Sequence, residues 1–154
     1  MTSGVSAGAG SRVGVAVVGH GACASALLSA ARGILGEGAL SDLVTIDAGL
    51  GDTAKHELAP QVCAAIEAAD TGAGVLVLVD LPGASPCQCA QREGLGHGVV
   101  VLAGLNLAML LKLAGLDRAS MTPAELAAAC GDSGQRAVAV CSAPPQTDHG
   151  ELSS

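Results

Sequence analysis

Two ionisable side chains follow apolar runs that a parallel sheet would bring together. His20 comes after the run Val13–Val18, and Asp80 comes after the run Gly74–Val79. If these runs are neighbouring parallel strands, their carboxyl ends lie at the same edge of the sheet. Asp80 could then accept a hydrogen bond from one ring nitrogen of His20, which fixes the tautomer and leaves the other nitrogen with a free lone pair.

Helix starts are predicted beside both side chains. One helix begins after Gly21 and another begins at Ser85 and Pro86, so both would direct backbone N–H groups toward that edge and form an anion site. An oriented imidazole beside an anion site indicates a histidine that carries a phosphoryl group. A histidine at a strand end is also a common half-buried surface residue, and an aspartate after a strand is often a helix cap, so the pairing is a hypothesis.

Short apolar runs alternate with amphipathic patterns, which is typical of a doubly wound, mostly parallel α/β sheet with helices on both faces. The predicted strands are Val13–Val18, Leu43–Ile46, Gly74–Val79, Val99–Ala103 and a last one at Ala137–Cys141. The predicted helices are Ala22–Leu35, Asp52–Ala69 with Asp52 or Thr53 as its N-cap, Ser85 to about Leu95, Asn106–Ala114, and one that follows a capping box at Thr122–Glu125.

Composition limits both the size of the fold and its partners. The chain has 154 residues, of which 50% are hydrophobic and 14% charged, so it can bury the core of one domain. That domain is predicted to span residues 12–141, and residues 1–11 and 142–154 are predicted to be disordered tails. Because the chain has no Phe, Trp or Tyr and a net charge of −7, nucleic acid is not an expected partner.

The uncharged stretch from Val13 to Ala31 is the nearest approach to a membrane span. Gly-His-Gly at residues 19–21 interrupts it, whereas a transmembrane helix needs about 20 mostly apolar residues in a row. A single basic residue, Arg12, precedes this stretch, so no signal peptide is predicted. We therefore expect a cytoplasmic protein.

The six cysteines include no Cys-x-x-Cys pair, and no export signal supports a disulfide framework, so we interpret them as small core thiols. No metal site and no cofactor are predicted. Cys23, Cys87 and Cys89 fall in the first turns of the two helices that face His20, a position that favours thiolate reactivity. Oxidation of these thiols, or a metal bound to them, could block chemistry at His20. The others are Cys63, Cys130 and Cys141.

Three segments carry a resemblance to a known family. They are Val13-Gly-Val-Ala-Val-Val-Gly-His20-Gly21, Gly74-Val-Leu-Val-Leu-Val-Asp80-Leu-Pro-Gly83-Ala-Ser85-Pro86 and Gly104-Leu-Asn106-Leu-Ala-Met-Leu-Leu-Lys112. With these segments the sequence resembles enzyme IIA of the mannose-type (mannose, fructose, sorbose, N-acetylgalactosamine) sugar phosphotransferase systems. Each segment alone is a weak signal, but their order and their places at strand ends make the resemblance specific. It covers roughly residues 12–141.

The resemblance implies a phosphoryl relay. His20 would be the phosphorylated histidine and Asp80 the carboxylate that orients it, while Gly21, Gly83 and Ser85 would bind the phosphoryl group. In such systems the histidine accepts the phosphoryl group from the phosphocarrier HPr and passes it to an enzyme IIB domain. The membrane subunits IIC and IID then phosphorylate the incoming sugar.

The resemblance also implies a homodimer that exchanges a C-terminal strand, for which Ala137–Cys141 is the candidate. The sequence departs from the family pattern at three positions. Ala84 replaces the second glycine of the loop, Gln88 replaces a frequent asparagine, and Ala108 replaces a proline in the third segment. Alanine is a good helix former, so we expect an intact fold, whereas docking of the partner proteins could change.

Three other functions remain open. The phosphotransfer subunit of dihydroxyacetone kinase is similar at the same strand ends, although the Ser-Pro loop and the segment around Asn106 favour the sugar system. A tetrapyrrole metal chelatase would need a second histidine facing the metal, whereas His97 precedes the fourth strand at the other end of the sheet, His56 is on an exposed helix face and His149 is in the tail. The third is a non-catalytic binding module of the same fold.

Overall fold

A computed structural model describes residues 10–82 and 98–145, and for residues 52–57 only the backbone. Its sheet has four parallel strands in the order β2-β1-β3-β4: β1 (Gly14–His20), β2 (Val44–Ala48), β3 (Val75–Val79) and β4 (Val99–Ala103). The helices are α1 (Cys23–Leu35), α2 (Asp52–Ala69), α3 (Leu107–Ala114) and α4 (Pro123–Arg136). The predicted parallel α/β fold is confirmed. Within these residues, no helix combines the length and apolarity that a membrane crossing requires.

The two central strands are apolar on both faces because helices cover both. Leu76 and Leu78 of β3 pack with β1 side chains against α1, α3 and α4. Val75 and Val77 point to the other face and pack against α2. In the order β2-β1-β3-β4 the chain proceeds from β1 to β2 on one side and from β3 to β4 on the other, and this change of direction between β1 and β3 is where ligands bind in parallel α/β sheets.

Local caps determine where the helices start, and they require one correction. Thr122 Oγ1 accepts the Glu125 N–H at 3.2 Å, and the Glu125 carboxylate accepts the Thr122 N–H at 2.8 Å, which confirms the predicted capping box. At α2 the N-cap is Gly51, so the prediction of Asp52 or Thr53 is wrong. Gly51 has a φ of 108°, which glycine adopts without strain, and this lets the helix start earlier than the polar side chains indicate.

The predicted last strand, Ala137–Cys141, does not form in the single chain. Residues 138–145 follow α4 without regular secondary structure, and Val138 and Val140 are exposed. A strand needs a partner for its backbone groups, and among the described residues this segment pairs with neither β2 nor β4. The helix predicted from Ser85 to about Leu95 lies outside the described residues.

The interpretation of the cysteines as thiols is wrong for Cys63. Cys63 on α2 is disulfide-bonded. Chain spacing does not reveal which cysteines approach each other in space, so the bond could not be predicted. Cys130 is a thiol of the core, and burial raises its pKa, while Cys141 is an exposed free thiol.

The buried guanidinium group of Arg118 lies at the amino-terminal edge of the sheet, which is the edge opposite to His20. Arg118 donates from Nη1 to the Val13 carbonyl at 3.3 Å and from Nη2 to the Asp42 carboxylate. Arg12 Nη2 lies 3.1 Å from the same carboxylate. Burial acts to raise the pKa of Asp42, but the hydrogen bond from Arg118 and the charges of both arginines hold it below its ordinary value.

We predict that Asp42→Asn lowers the free energy of unfolding by about 1–2 kcal/mol at pH 7, because the buried Arg118 loses its counter-charge. This value is below that for a fully buried pair because Asp42 is half-exposed. Urea denaturation measures it.

The pH dependence has a defined sign. The pKa of Asp42 is lower in the folded than in the unfolded state, so its stabilisation is present above the unfolded value of about 4 and is lost as pH falls through the folded value. The difference between wild type and Asp42→Asn should therefore shrink below pH 4. Asp132→Asn, which breaks the exposed Asp132–Arg136 pair, is the control, and equal effects of the two variants would contradict the prediction.

Candidate functional site

The structure brings His20 and Asp80 into direct contact. His20 ends β1, and Asp80 follows the neighbouring strand β3. His20 Nδ1 lies 3.0 Å from Asp80 Oδ1 and 3.1 Å from Oδ2, and the His20 backbone N–H donates to Oδ2 at 2.7 Å. The carboxylate therefore holds both the backbone and the ring of His20.

This contact decides which ring nitrogen of His20 can react. An ionised carboxylate only accepts hydrogen bonds, so Nδ1 carries the proton in the neutral ring and Nε2 keeps its lone pair. The His20 side chain is 54% exposed, whereas that of Asp80 is 15% exposed. The ring is thus accessible while the group that orients it is sheltered, as expected for a nucleophile.

Asp80 stays ionised because of the donors around it. Partial burial acts to raise the pKa of Asp80, but hydrogen bonds from the His20 backbone, from the His20 ring and from the Leu81 N–H (2.8 Å) together lower it. At neutral pH the carboxylate is therefore negative. This is the form that accepts the Nδ1 proton and stabilises positive charge on the ring.

Two glycines allow α1 to start directly after β1. A Cβ at Gly19 would lie 2.6 Å from the backbone nitrogen of Ala24, too close for another residue without a shift of the helix. Gly21 has a φ of 55°, in the left-handed region that glycine tolerates. Its N–H donates to the Ala48 carbonyl at 2.8 Å, so Gly21 shapes the turn while its own donor is engaged with β2.

Sequence reasoning missed Asp47, which contacts the start of α1. Its carboxylate accepts the Ser25 hydroxyl and, at 3.0 Å, the Ser25 N–H, and these bonds hold the pKa of Asp47 below its ordinary value. The N-terminus of α1, predicted to form part of an anion site, is therefore already bound to a carboxylate of the chain. The available signal is an acidic residue inside the short strand β2.

Several predicted residues lie outside the described part of the chain. They are Gly83, Ser85, Cys87 and Cys89, whose roles stay predictions. Cys23 is a half-buried free thiol at the first residue of α1. Among the side chains that the structure describes, which exclude those of residues 52–57, no three from His, Cys, Asp or Glu form a group that could hold a metal ion. The proposed redox or metal block at Cys23 remains a hypothesis.

Asn106 caps α3 at the same edge of the sheet. Its side-chain oxygen accepts the Met109 N–H at 3.2 Å, and its amide donates to the Gly104 carbonyl at 3.3 Å. Ala108 lies in the first turn of α3, and the helix forms there as expected. The departure from the family proline therefore leaves the fold intact.

Comparison with models of protein families assigns the chain to a family. A family model described as the fructose IIA component of the phosphotransferase system (PTS) matches residues 14–130. The chain belongs to the mannose-type enzyme IIA family. The resemblance carried by the three sequence segments is thus confirmed, and this enzyme IIA is a component of a sugar phosphotransferase system. No curated protein matches the chain.

Solved structures of enzyme IIA proteins have a similar fold. The mannose/sorbose-specific IIA subunit from Enterococcus faecalis is 29% identical, with a TM-score of 0.68, and the match covers 88% of this chain and 99% of that one. The PTS IIA protein associated with the fucose utilization operon from Streptococcus pneumoniae is 25% identical, with a TM-score of 0.62 over 79% and 90%. At 23% identity, the component EIIA from Streptococcus agalactiae shows the fold alone, with a TM-score of 0.63 over 83% and 96%.

We predict that Asp80→Asn changes the tautomer of the neutral His20 ring. Asparagine keeps one acceptor oxygen, which can still bind the His20 N–H, but its amide no longer requires a proton on Nδ1. Nitrogen-15 NMR of the ring should show protonated Nδ1 in the wild type and a large population of protonated Nε2 in the variant. Asp117→Asn is the control, and an unchanged tautomer in Asp80→Asn would refute the orienting role.

Proposed function

We propose that this enzyme IIA is a phosphoryl relay in the cytoplasm. His20 accepts the phosphoryl group of phospho-HPr and passes it to an enzyme IIB domain, during sugar uptake through the membrane subunits IIC and IID. The observation that carries the proposal is the hydrogen bond between His20 Nδ1 and Asp80, because it leaves Nε2 as the nucleophile. Membership of the enzyme IIA family supports the sugar phosphotransferase system as the setting.

The proposed transfer needs one nucleophile and one counter-charge. The lone pair of His20 Nε2 attacks the phosphorus in line with the P–N bond of phospho-HPr. That bond breaks, and its electron pair returns to the ring nitrogen of HPr. The His20 ring gains positive charge as the new P–N bond forms, and the Asp80 carboxylate stabilises this charge while Nδ1 keeps its proton. The same steps in the opposite sense deliver the group to enzyme IIB.

Gly21, Gly83 and Ser85 are the proposed contacts of the phosphoryl oxygens. Because the Gly21 N–H donates to Ala48, the contribution of Gly21 is to let the oxygens approach the turn closely. Among the described residues, a Cβ at this position would come within 4 Å of one atom, a methyl carbon of Leu50 at 3.8 Å, so these residues leave space beside the turn. The predicted helix start at Ser85 would supply N–H donors.

Exposed leucines on either side of His20 support delivery of the phosphoryl group by a protein. Leu50 is 78% exposed and lies over Gly21, and Leu81 is 61% exposed and directly follows Asp80. A single exposed leucine is ordinary, but two beside a reactive histidine form the apolar centre that a protein interface requires. We therefore propose that HPr and enzyme IIB contact both leucines when they dock.

The chain after α4 supports a homodimer. Val138 and Val140 are separated by one residue and are 82% and 99% exposed, so both would lie on one face of an extended strand. In a single chain this apolar face is in water. We propose that Ala137–Cys141 pairs with the sheet of a second copy, which would supply the missing backbone partners.

Phosphorylation of His20 tests the proposed function. Incubation with phosphoenolpyruvate, enzyme I and HPr should add one acid-labile phosphoryl group, detected by intact-mass spectrometry, and His20→Ala should abolish it. Asp80→Asn should slow the transfer by about 10- to 100-fold while its circular dichroism stays native, because the ring loses its orientation and counter-charge. A labelled His20→Ala protein would contradict the proposal.

The acceptor distinguishes the remaining candidates. The labelled protein should transfer its phosphoryl group to enzyme IIB and not to the subunits of dihydroxyacetone kinase. Transfer to the kinase alone would favour the phosphotransfer subunit of that system. A chain that HPr never labels would be left with the non-catalytic binding function.

The double variant Leu50→Ser/Leu81→Ser tests the docking surface. We expect the KM for phospho-HPr to rise about 5- to 20-fold with kcat nearly unchanged, because apolar contact with the partner is lost while the reacting groups remain. Ile34→Ser is the matched control, since Ile34 is also exposed but lies near the far end of α1. An equal rise of KM in the control would show that the leucines have no special part in docking.

A further inference from the structure

His20 lies between carboxylates from both neighbouring strands. Strand β1 is flanked by β2 and β3, and Asp47 of β2 is the register partner of Gly19, the residue before His20. Asp80 follows β3 on the other side and contacts the His20 ring. Asp47 instead turns to the helix that starts immediately after His20. The two carboxylates therefore have different tasks.

The Asp47 carboxylate is bound to the first turn of α1. Oδ1 accepts the Ser25 N–H at 3.0 Å, and Oδ2 accepts the Ser25 hydroxyl. The first N–H groups of a helix carry the positive end of its dipole. In this protein a fixed negative charge thus covers that positive end, on the helix that follows His20 in the chain.

We propose that Asp47 is a positioning residue that keeps phosphorylated His20 reactive, an inference that rests on the proposed function. An uncovered N-terminus of α1 would attract the phosphoryl dianion and lower its free energy on His20. With Asp47 bound there, its negative charge opposes this attraction. No bond to Asp47 forms or breaks, since the phosphoryl group and its electron pairs move only between His20 Nε2 and the partner proteins.

In a phosphoryl relay, the negative charge of Asp47 near the start of α1 would help the phosphoryl group to leave His20. The phosphoryl group must leave His20 as readily as it arrives, so a site that binds the group tightly would stop transfer to the acceptor. Asp80 must stay close, because it orients the ring and offsets its positive charge. Asp47 can then adjust the stability of the phosphorylated state from the opposite side without touching the ring.

The experiment compares two aspartates that both accept backbone N–H groups. Asp47→Asn removes the charge but keeps an oxygen that can cap α1. The measurement is the equilibrium distribution of the phosphoryl group between HPr and the chain at low ionic strength. We expect Asp47→Asn to shift it toward phosphorylated His20 by about two- to fivefold. Asp117→Asn makes the same change in net charge at the opposite edge of the sheet, where Asp117 accepts the Ala119 N–H at 3.1 Å, and should not shift it.

Two further measurements separate charge from structure. The shift caused by Asp47→Asn should shrink as the salt concentration rises to 1 M, because salt screens exposed charges, whereas a purely structural effect would persist. Ser25→Ala keeps the Asp47 charge and should leave the equilibrium near that of the wild type. Asp47→Ser is also neutral, but its side chain is too short to reach Ser25, so it removes the charge together with the hydrogen bonds. It should shift the equilibrium in the same direction as Asp47→Asn, and it replaces that variant if Asp47→Asn does not fold.

The outcomes distinguish this inference from the proposed function. Equal equilibrium constants for Asp47→Asn and Asp117→Asn, with His20 of the wild type phosphorylated, would overturn the role of Asp47 alone. A shift that does not depend on salt would also overturn it. A wild-type protein that HPr cannot phosphorylate on His20 would overturn the proposed function and this inference together.

Discussion

The parallel pairing of β1 with β3 is the interaction on which the candidate site depends. Its register runs from Gly14 opposite Val75 to Val18 opposite Val79, and the Asp80 N–H then donates to the Val18 carbonyl at 3.3 Å. The ladder thus extends to Asp80 itself and holds its carboxylate beside His20. Both strands are buried on both faces, so a slip of register would turn packed valines and leucines away from their partners. The core therefore sets the geometry of the histidine.

The same strand places α1, and α1 makes the site asymmetric. Gly19 permits the helix to approach the end of β1 closely, which brings the first turn of α1 to Asp47. On the other side, Asp80 is sheltered and accepts donors from the chain next to it. One carboxylate faces the reacting ring and the other faces the helix. The proposed relay depends on the first arrangement, which orients the ring, and the role inferred for Asp47 rests on the second, which bears on release of the phosphoryl group.

Local sequence patterns predicted most of the fold, but they did not predict contacts between segments that are distant in the sequence. The run Val75–Val79 and the capping box of Thr122 and Glu125 depend on neighbours in sequence, and both were predicted correctly. The contact of Asp80 with His20 could be predicted because each residue follows an apolar run that forms a strand. Asp47 was missed because its contact spans 22 residues and depends on the register of β1 against β2, which no local pattern contains. The N-cap at Gly51 was missed because a backbone angle, and no polar side chain, determines it.

The two edges of the sheet differ in what they bury: one buries a charged side chain, and the other leaves apolar side chains exposed. At the amino-terminal edge, Arg118 is buried against Asp42, and the ion pair closes the fold. At the carboxyl edge, His20, Leu50 and Leu81 stay exposed, although burying the two leucines would add stability. An edge that receives HPr and enzyme IIB in turn, as proposed, must leave these groups open. Two leucines without an aromatic neighbour make a small apolar contact, which suits a complex that has to dissociate before the next partner binds.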